Sequence, residues 1–151
     1  MSRVLVTFSA AVHPEPRPAL VPNGYGGIRY KDSKEYREYK AILTQACEEA
    51  LPGFWSVYDK PTEIWIICQY KQLKSRPKDE WKDTVPDNDN LHKPVQDALT
   101  GLVFTDDKTV VMSHVAKVFG DEDRVTVQVR TVGGREESLD GWILPEDQAA
   151  L

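Results

Sequence analysis

Apolar residues recur every second position at the start of the chain, where Val4, Val6 and Phe8 lie on one face of a strand predicted from Val4 to Ser9. The alternation then stops. Between Val12 and Gly27 stand four prolines (Pro14, Pro16, Pro18, Pro22) and three glycines (Gly24, Gly26, Gly27), which predicts an exposed loop of a length that often carries function. Asp32 and Glu35 have the spacing of a capping box, opening a helix that runs to about Leu51. Tyr39, Leu43, Ala46, Cys47 and Ala50 form its buried stripe, and Pro52-Gly53 ends it. A strand follows from Glu63 to Lys71. Ile64, Ile66, Cys68 and Tyr70 alternate in it with Trp65, Ile67 and Gln69, and two apolar faces predict a central strand. A second helix is predicted from Leu91 to Leu102, with Leu91, Val95, Ala98, Leu99 and Leu102 inward. The last strands, Val110 to Phe119 and Arg124 to Val132, flank the turn Gly120–Asp123 and read as a hairpin. The order β-α-β-α-β-β predicts an α+β fold, a single domain over 1–132 with a mixed sheet and helices packed on it, and an acidic tail over 133–151. In that tail Trp142, Ile143 and Leu144 are apolar enough to dock on the body or on a partner.

Composition adds exclusions. No run of about 18 apolar residues is present to span a membrane. The first residues lack the apolar core and cleavage site of a signal peptide, which predicts a cytoplasmic protein. Cys47 and Cys68 fall in a helix and a strand, and are read as small buried hydrophobes under reducing conditions. The net charge of -5 argues at first against a nucleic-acid partner. Its distribution changes that reading: residues 1–78 hold 12 Lys and Arg against 8 Asp and Glu, whereas residues 79–151 hold 7 against 16. The acid lies in the tail and around one short segment, where a divalent cation would invert the local field.

That segment carries the chemistry. Asp87 and Asp89 precede the second predicted helix, and Asp106 and Asp107 follow it. A helix of 12 residues is ~18 Å long, so its two ends meet only if the chain after Leu102 folds back through Val103-Phe104. Carboxylates gathered without His or Cys form a hard-oxygen site that suits Mg²⁺ or Mn²⁺. Lys93 lies four residues after Asp89, placed to stabilise charge on a phosphate. Each element also has an ordinary reading. Asp87 and Asp89 suit helix caps, Asp106-Asp107 suits a turn, and Lys93 suits a surface pair with Asp89 or Asp97. His92 and His114 are read as surface and strand-face residues.

The whole run from Asp87-Asn88-Asp89-Asn90-Leu91-His92-Lys93 through Asp97-Ala98-Leu99 to Asp106-Asp107 and an apolar strand resembles the RusA family of Holliday junction resolvases. The tight match covers about Asp87 to Val111, and the order of elements extends it to Val132. The resemblance implies a Mg²⁺-dependent, structure-specific endodeoxyribonuclease, with Mn²⁺ able to substitute. Such an enzyme works as a homodimer on branched DNA in recombination and repair, in a bacterium or one of its viruses, and cuts four-way junctions by paired symmetrical nicks. It places Asp87, Asp89, Asp107 and Lys93 on the family's catalytic positions, with the carboxylates as metal ligands. Asp106 falls beside them as an assistant ligand, and Asn90 and Asp97 as residues ordering the helix. The chain departs from the family in two respects. It is acidic where the family is basic, which argues against tight, salt-resistant DNA binding. Pro94, just after Lys93, is tolerable only near a first helical turn, which predicts that the helix begins close to Leu91 with Asp87 and Asp89 in the loop ahead.

No motif locates the DNA contacts. The candidates are Arg17, Arg29 and Lys31 in and after the first loop, and Lys71, Lys74, Arg76 and Lys78 in a stretch leading into the acidic segment, with no acidic residue between positions 70 and 78. Each of them equally suits a solvated surface charge. Two further functions stand beside the junction resolvase. One is a nuclease tuned to forks or flaps. The other is a non-catalytic branched-DNA-binding or protein-interaction module, against which the intact set Asp87, Asp89, Lys93 and Asp107 argues.

Overall fold

Four strands make one sheet, and the two long helices pack on one of its faces. The computed structural model describes residues 2–31 and 33–142. Its elements are β1 (Val4–Ala10), β2 (Leu20–Pro22), β3 (Ile28–Tyr30), α1 (Lys34–Ala50), β4 (Thr62–Lys71), α2 (Asn88–Leu99), a 3₁₀ turn (Asp107–Thr109), β5 (Val110–Gly120), β6 (Arg124–Thr131) and α3 (Arg135–Ser138). The expected α+β fold with a mixed sheet is the one found: β4 runs parallel to β5 and antiparallel to β6, and β6 is antiparallel to β1.

Strand β4 is internal, as its two apolar faces predict. Ile64, Ile66, Cys68 and Tyr70 are buried beneath the helices, while Trp65 and Ile67 lie on the opposite face and remain 39% and 44% exposed. That open face carries its own contacts. Trp65 stacks on His114 (3.8 Å between ring centroids), and the Arg130 guanidinium lies 5.3 Å from the Trp65 ring. The core formed on the covered face includes Phe8, Tyr39, Leu43, Leu91, Val95, Leu99, Val103, Phe104, Val125 and Val127. Cys47 and Cys68 lie within it as free thiols, and burial pushes each up to about 12. No helix among the described residues is long and apolar enough to cross a membrane.

The structure corrects several expectations. The hairpin predicted for the last two strands does not form, because β5 and β6 lie on either side of β4. Their connection passes over the end of β4, where the Gln69 amide donates to the Glu122 carbonyl (2.9 Å) and the Lys71 N–H donates to Asp123 Oδ1 (2.8 Å). Gly120 lets the Gln69 amide lie close at the crossing: a Cβ there would stand 2.3 Å from the end of that side chain, which would have to swing aside. A β-bulge between Val4 and Val6 turns Val4 outward and buries Leu5 beside Val6. The first loop contains the short hairpin β2–β3. Ser33 caps α1, its hydroxyl accepting from the Tyr36 N–H (3.1 Å), whereas the expected cap Asp32 lies outside the described residues. Tyr36 joins the buried stripe of α1 and Ala50 is exposed. In the tail α3 is a single turn and Trp142 is exposed, while Ile143 and Leu144 lie outside the described residues.

Candidate active site

Helix α2 begins at Asn88, three residues earlier than Pro94 suggested, so Asp89 lies inside its first turn and Asp87 is its N-cap residue. Pro94 is therefore seven positions into the helix. Proline there removes the N–H that would bond the carbonyl of Asn90. The structure supplies another donor: the backbone N–H of Arg17 reaches that carbonyl at 2.6 Å. The Asp87 side chain makes no capping hydrogen bond, and Asp87 and Asp89 are both exposed. Two contacts from β5 fix this end of the helix. The Lys117 ammonium donates to the carbonyls of Thr84 (2.6 Å) and Pro86 (2.8 Å), and the Asn88 amide donates to the Val115 carbonyl (3.3 Å).

The chain beyond α2 does fold back. Thr100 closes the helix, Gly101 takes φ +81°, and the Gly101 N–H donates to the Phe104 carbonyl (2.8 Å). Val103 and Phe104 are fully buried, and the backbone of Tyr58 brackets them, donating to Val103 (2.9 Å) and accepting from Thr105 (3.0 Å). The 3₁₀ turn follows, capped by Asp106, whose carboxylate accepts from the Lys108 N–H (3.0 Å). Asp107 then faces α2, and the half-buried Lys93 ammonium binds its carboxylate while also pairing with Asp97 at 3.0 Å. The bond from Lys93, and then the one to Asp106, hold the Asp107 carboxyl below the ordinary carboxylate range. Asp107 in turn holds Lys93 above its ordinary value, against the opposing effect of burial. Beside them His92 meets Ser113 Oγ (3.1 Å) and the Gln96 amide. Burial, and then the charges of Lys93 and Arg17, lower its pKa, which favours the neutral ring.

The structure thus brings Lys93 to Asp107 and Asp97, while Asp87 and Asp89 stand at the N-terminal end of the same helix. Among the described residues no three His, Cys, Asp or Glu side chains are gathered closely enough to cage a metal ion. Of the basic candidates, Arg17, Arg29, Lys31, Lys71, Lys74 and Lys78 are exposed. Arg76 is committed to its own loop, bonded to Asp79 and, at 2.8 Å, to Asp83, whose carboxyl it lowers. Sequence reasoning missed Lys117. The available signal was a lysine on the inward face of an apolar strand, in register with buried Cys68.

A lysine held between carboxylates, with two more carboxylates at the start of the same helix, is equipped to handle an anionic ester together with a hard cation, as phosphodiester hydrolases do. Comparison with known families makes the class specific. The family model described as "Endodeoxyribonuclease RusA" matches residues 10–130, and the chain belongs to that family. A protein of Bacillus subtilis (strain 168), named "Uncharacterized protein YqaN", is 47% identical over 49 residues. That stretch covers 32% of this chain and about a third (34%) of the relative's length.

Proposed function

We propose that this protein is a Mg²⁺-dependent, structure-specific endodeoxyribonuclease that resolves Holliday junctions by paired symmetrical nicks. The observation carrying the reading is the return of the chain after α2, which delivers Asp107 to Lys93 on the helix that Asp87 and Asp89 begin. The donor set fits the ion by its chemistry: all the carboxylates are hard oxygens, and Asp87 and Asp89 are open to solvent. Mg²⁺ is commonly held by one or two carboxylates together with water and phosphate oxygens, so a preformed three-carboxylate cage is not required. Asp87, Asp89 and Asp107 would hold it, with Asp106 orienting Asp107. When bound, the ion supplies activation of water and neutralisation of charge on the phosphate. Lys93 stays protonated and stabilises the charge that develops on the phosphate and the leaving oxygen. The N-terminal end of α2 adds a favourable dipole for the same anion.

The partner is branched DNA, and the working form a homodimer, since a two-fold enzyme presents two equivalent sites to a two-fold substrate. The open face of the sheet, with Trp65 and Ile67 exposed, supports a second copy as its cover. Residues 1–132 would form the catalytic domain and 133–151 an acidic appendage, in a protein working in the cytoplasm.

The test incubates purified protein with an immobile four-way junction and a matched duplex, in Mg²⁺ or EDTA, beside Asp89→Asn. Paired nicks in the junction alone, absent with EDTA, are expected, and Asp89→Asn should lose about a thousandfold in rate, roughly 4 kcal/mol of transition-state stabilisation. Preferred cutting of forks or flaps would reassign the substrate. Binding without cutting under any divalent ion would replace the nuclease by a branched-DNA-binding module.

A further inference from the structure

The first loop, predicted as irregular, holds an ordered arm. Strands β2 and β3 pair Leu20 with Tyr30, Val21 with Arg29 and Pro22 with Ile28. Beyond Pro22 the tip is built by Asn23: its Oδ1 accepts from the N–H groups of Tyr25 (2.8 Å) and Gly27 (3.0 Å), and its own N–H donates to the Gly27 carbonyl (2.9 Å). Gly24 and Gly26 take φ +84° and +82°, and a Cβ on Gly27 would stand 2.7 Å from the Asn23 amide. The result is a fixed turn that presents Tyr25, between two glycines, 96% exposed to water.

The arm is tied to the candidate active site. Its legs close where the Lys31 N–H bonds the Ala19 carbonyl (2.8 Å), and the chain just before, at Arg17, bonds Asn90 in the first turn of α2. From that closure to Tyr25 is six residues, a reach of at most ~20 Å at ~3.3 Å per residue, or about six base-pair steps. Between Arg17 and Lys31 there is no acidic residue, and Arg17, Arg29 and Lys31 are all exposed in a chain of net charge -5. An aromatic ring on a basic arm suits a nucleic-acid base. Inside a duplex both faces of each base are covered by its neighbours. At a branch point whose arms are held unstacked, each branch-point pair keeps one face open.

We propose that Tyr25 stacks on an open base face at the branch point, so that the β2–β3 arm selects branched over continuous duplex DNA. This rests on the reading of the protein as a branched-DNA nuclease and adds to it the element that recognises the branch. Its ring is free of internal packing, so Tyr25→Ala should fold as the parent does, with an unchanged melting temperature as the control.

The experiment measures binding, in Ca²⁺ or EDTA to prevent cutting, of a four-way junction carrying 2-aminopurine at successive positions within six bases of the branch, beside the matched duplex. The wild-type protein should quench one of these positions. Tyr25→Ala should abolish that quenching and weaken junction binding about tenfold, the lower part of the range for one base–aromatic stack, with duplex binding unchanged. Tyr25→Trp should restore both. Junction binding and cutting by Tyr25→Ala equal to wild type would overturn the assignment of the arm and leave the nuclease reading intact. A wild-type protein that neither binds nor cuts junctions overturns the nuclease reading itself. A change in sedimentation for Tyr25→Ala, with no change in DNA binding, would make the arm a contact between protein copies and overturn the proposal.

Discussion

Lys117 gives the sharpest test of how the fold positions the site. Its ammonium grips the carbonyls of Thr84 and Pro86, and Asp87 is the next residue along the chain. Lys117→Met keeps the length of the stem against the α2 side of the sheet and removes both bonds. Hydrogen bonds to a charged donor contribute about 1.5–3 kcal/mol each, but these carbonyls lie near the surface and water replaces part of the loss. A total of about 2 kcal/mol is therefore expected, and about 2–4 °C per kcal/mol for a chain of this size gives a fall of roughly 4–8 °C in Tm. The effect on cutting should be larger than the effect on stability. Displacing a catalytic group by about 1 Å costs on the order of a hundredfold. The other tethers of this stretch, Lys82 Nζ to the Thr84 hydroxyl (2.8 Å) and the Asn88 amide to the Val115 carbonyl (3.3 Å), leave the Pro86 carbonyl beside Asp87 to Lys117. Single-turnover cutting of a four-way junction across a Mg²⁺ titration reads both consequences. The variant should cut about a hundredfold more slowly, need more Mg²⁺ for half-maximal rate and bind the junction as before, while Lys117→Arg should recover most of the rate. If Lys117→Met melts earlier yet cuts at the wild-type rate with the same Mg²⁺ dependence, the contact is structural only and the reasoning fails.

Two further outcomes follow from the same geometry. Because Lys93 lowers the Asp107 pKa, that carboxylate's stabilisation is complete above the unfolded value of about 3.9 and disappears as the pH falls through the lowered folded one. The raised Lys93 pKa makes its share complete below about 10.4, with loss only as the pH rises through the folded value. The difference in Tm between wild type and Lys93→Met should then stay flat from about pH 5 to about pH 9 and shrink only below about pH 4; a difference that faded near pH 6 would contradict the pairing. Pro94→Ala restores an N–H that competes for the Asn90 carbonyl, so hydrogen exchange at the Arg17 amide should accelerate by roughly five- to tenfold, the loss of about one hydrogen bond. Unchanged protection of Arg17 would mean that the carbonyl serves both donors.

Much of this architecture was readable because local rules governed it. The inward stripe Leu91, Val95, Ala98, Leu99 has helical spacing and is buried as that spacing requires. The family was readable because the chemistry and order of the carboxylates and Lys93 match its pattern, and that family is the one the chain belongs to. The failures occur where a distant segment decides. A three-residue turn between two apolar strands looks the same whether the strands pair or a third strand lies between them, and here β4 takes that place. The bulge that exchanges Val4 for Leu5 depends on the register of β1 against β6, more than a hundred residues away in sequence. The return through Val103-Phe104 was a condition that the carboxylate spacing could state but not decide, and the positive φ of Gly101 and the burial of Phe104 meet it.

Pro94 shows how such a failure can itself report on function. Read locally, a proline belongs in the first turn, which starts the helix at Leu91 and leaves both leading aspartates in a loop. The helix instead starts at Asn88 and carries the proline in its second turn, because the carbonyl that Pro94 leaves without a helical donor is bonded by Arg17 from the first loop. The proline therefore keeps open an attachment point on the face of α2 between Asp89 and Lys93. The basic arm that begins at Arg17 takes it. A helix-favouring residue at position 94 would close that point with its own N–H, and the arm would lose its register against the carboxylates. The local rule is broken where the first loop and the helix carrying the candidate carboxylates are held as one unit, and under the proposed function that is where a departure from ideal helix chemistry is physically warranted.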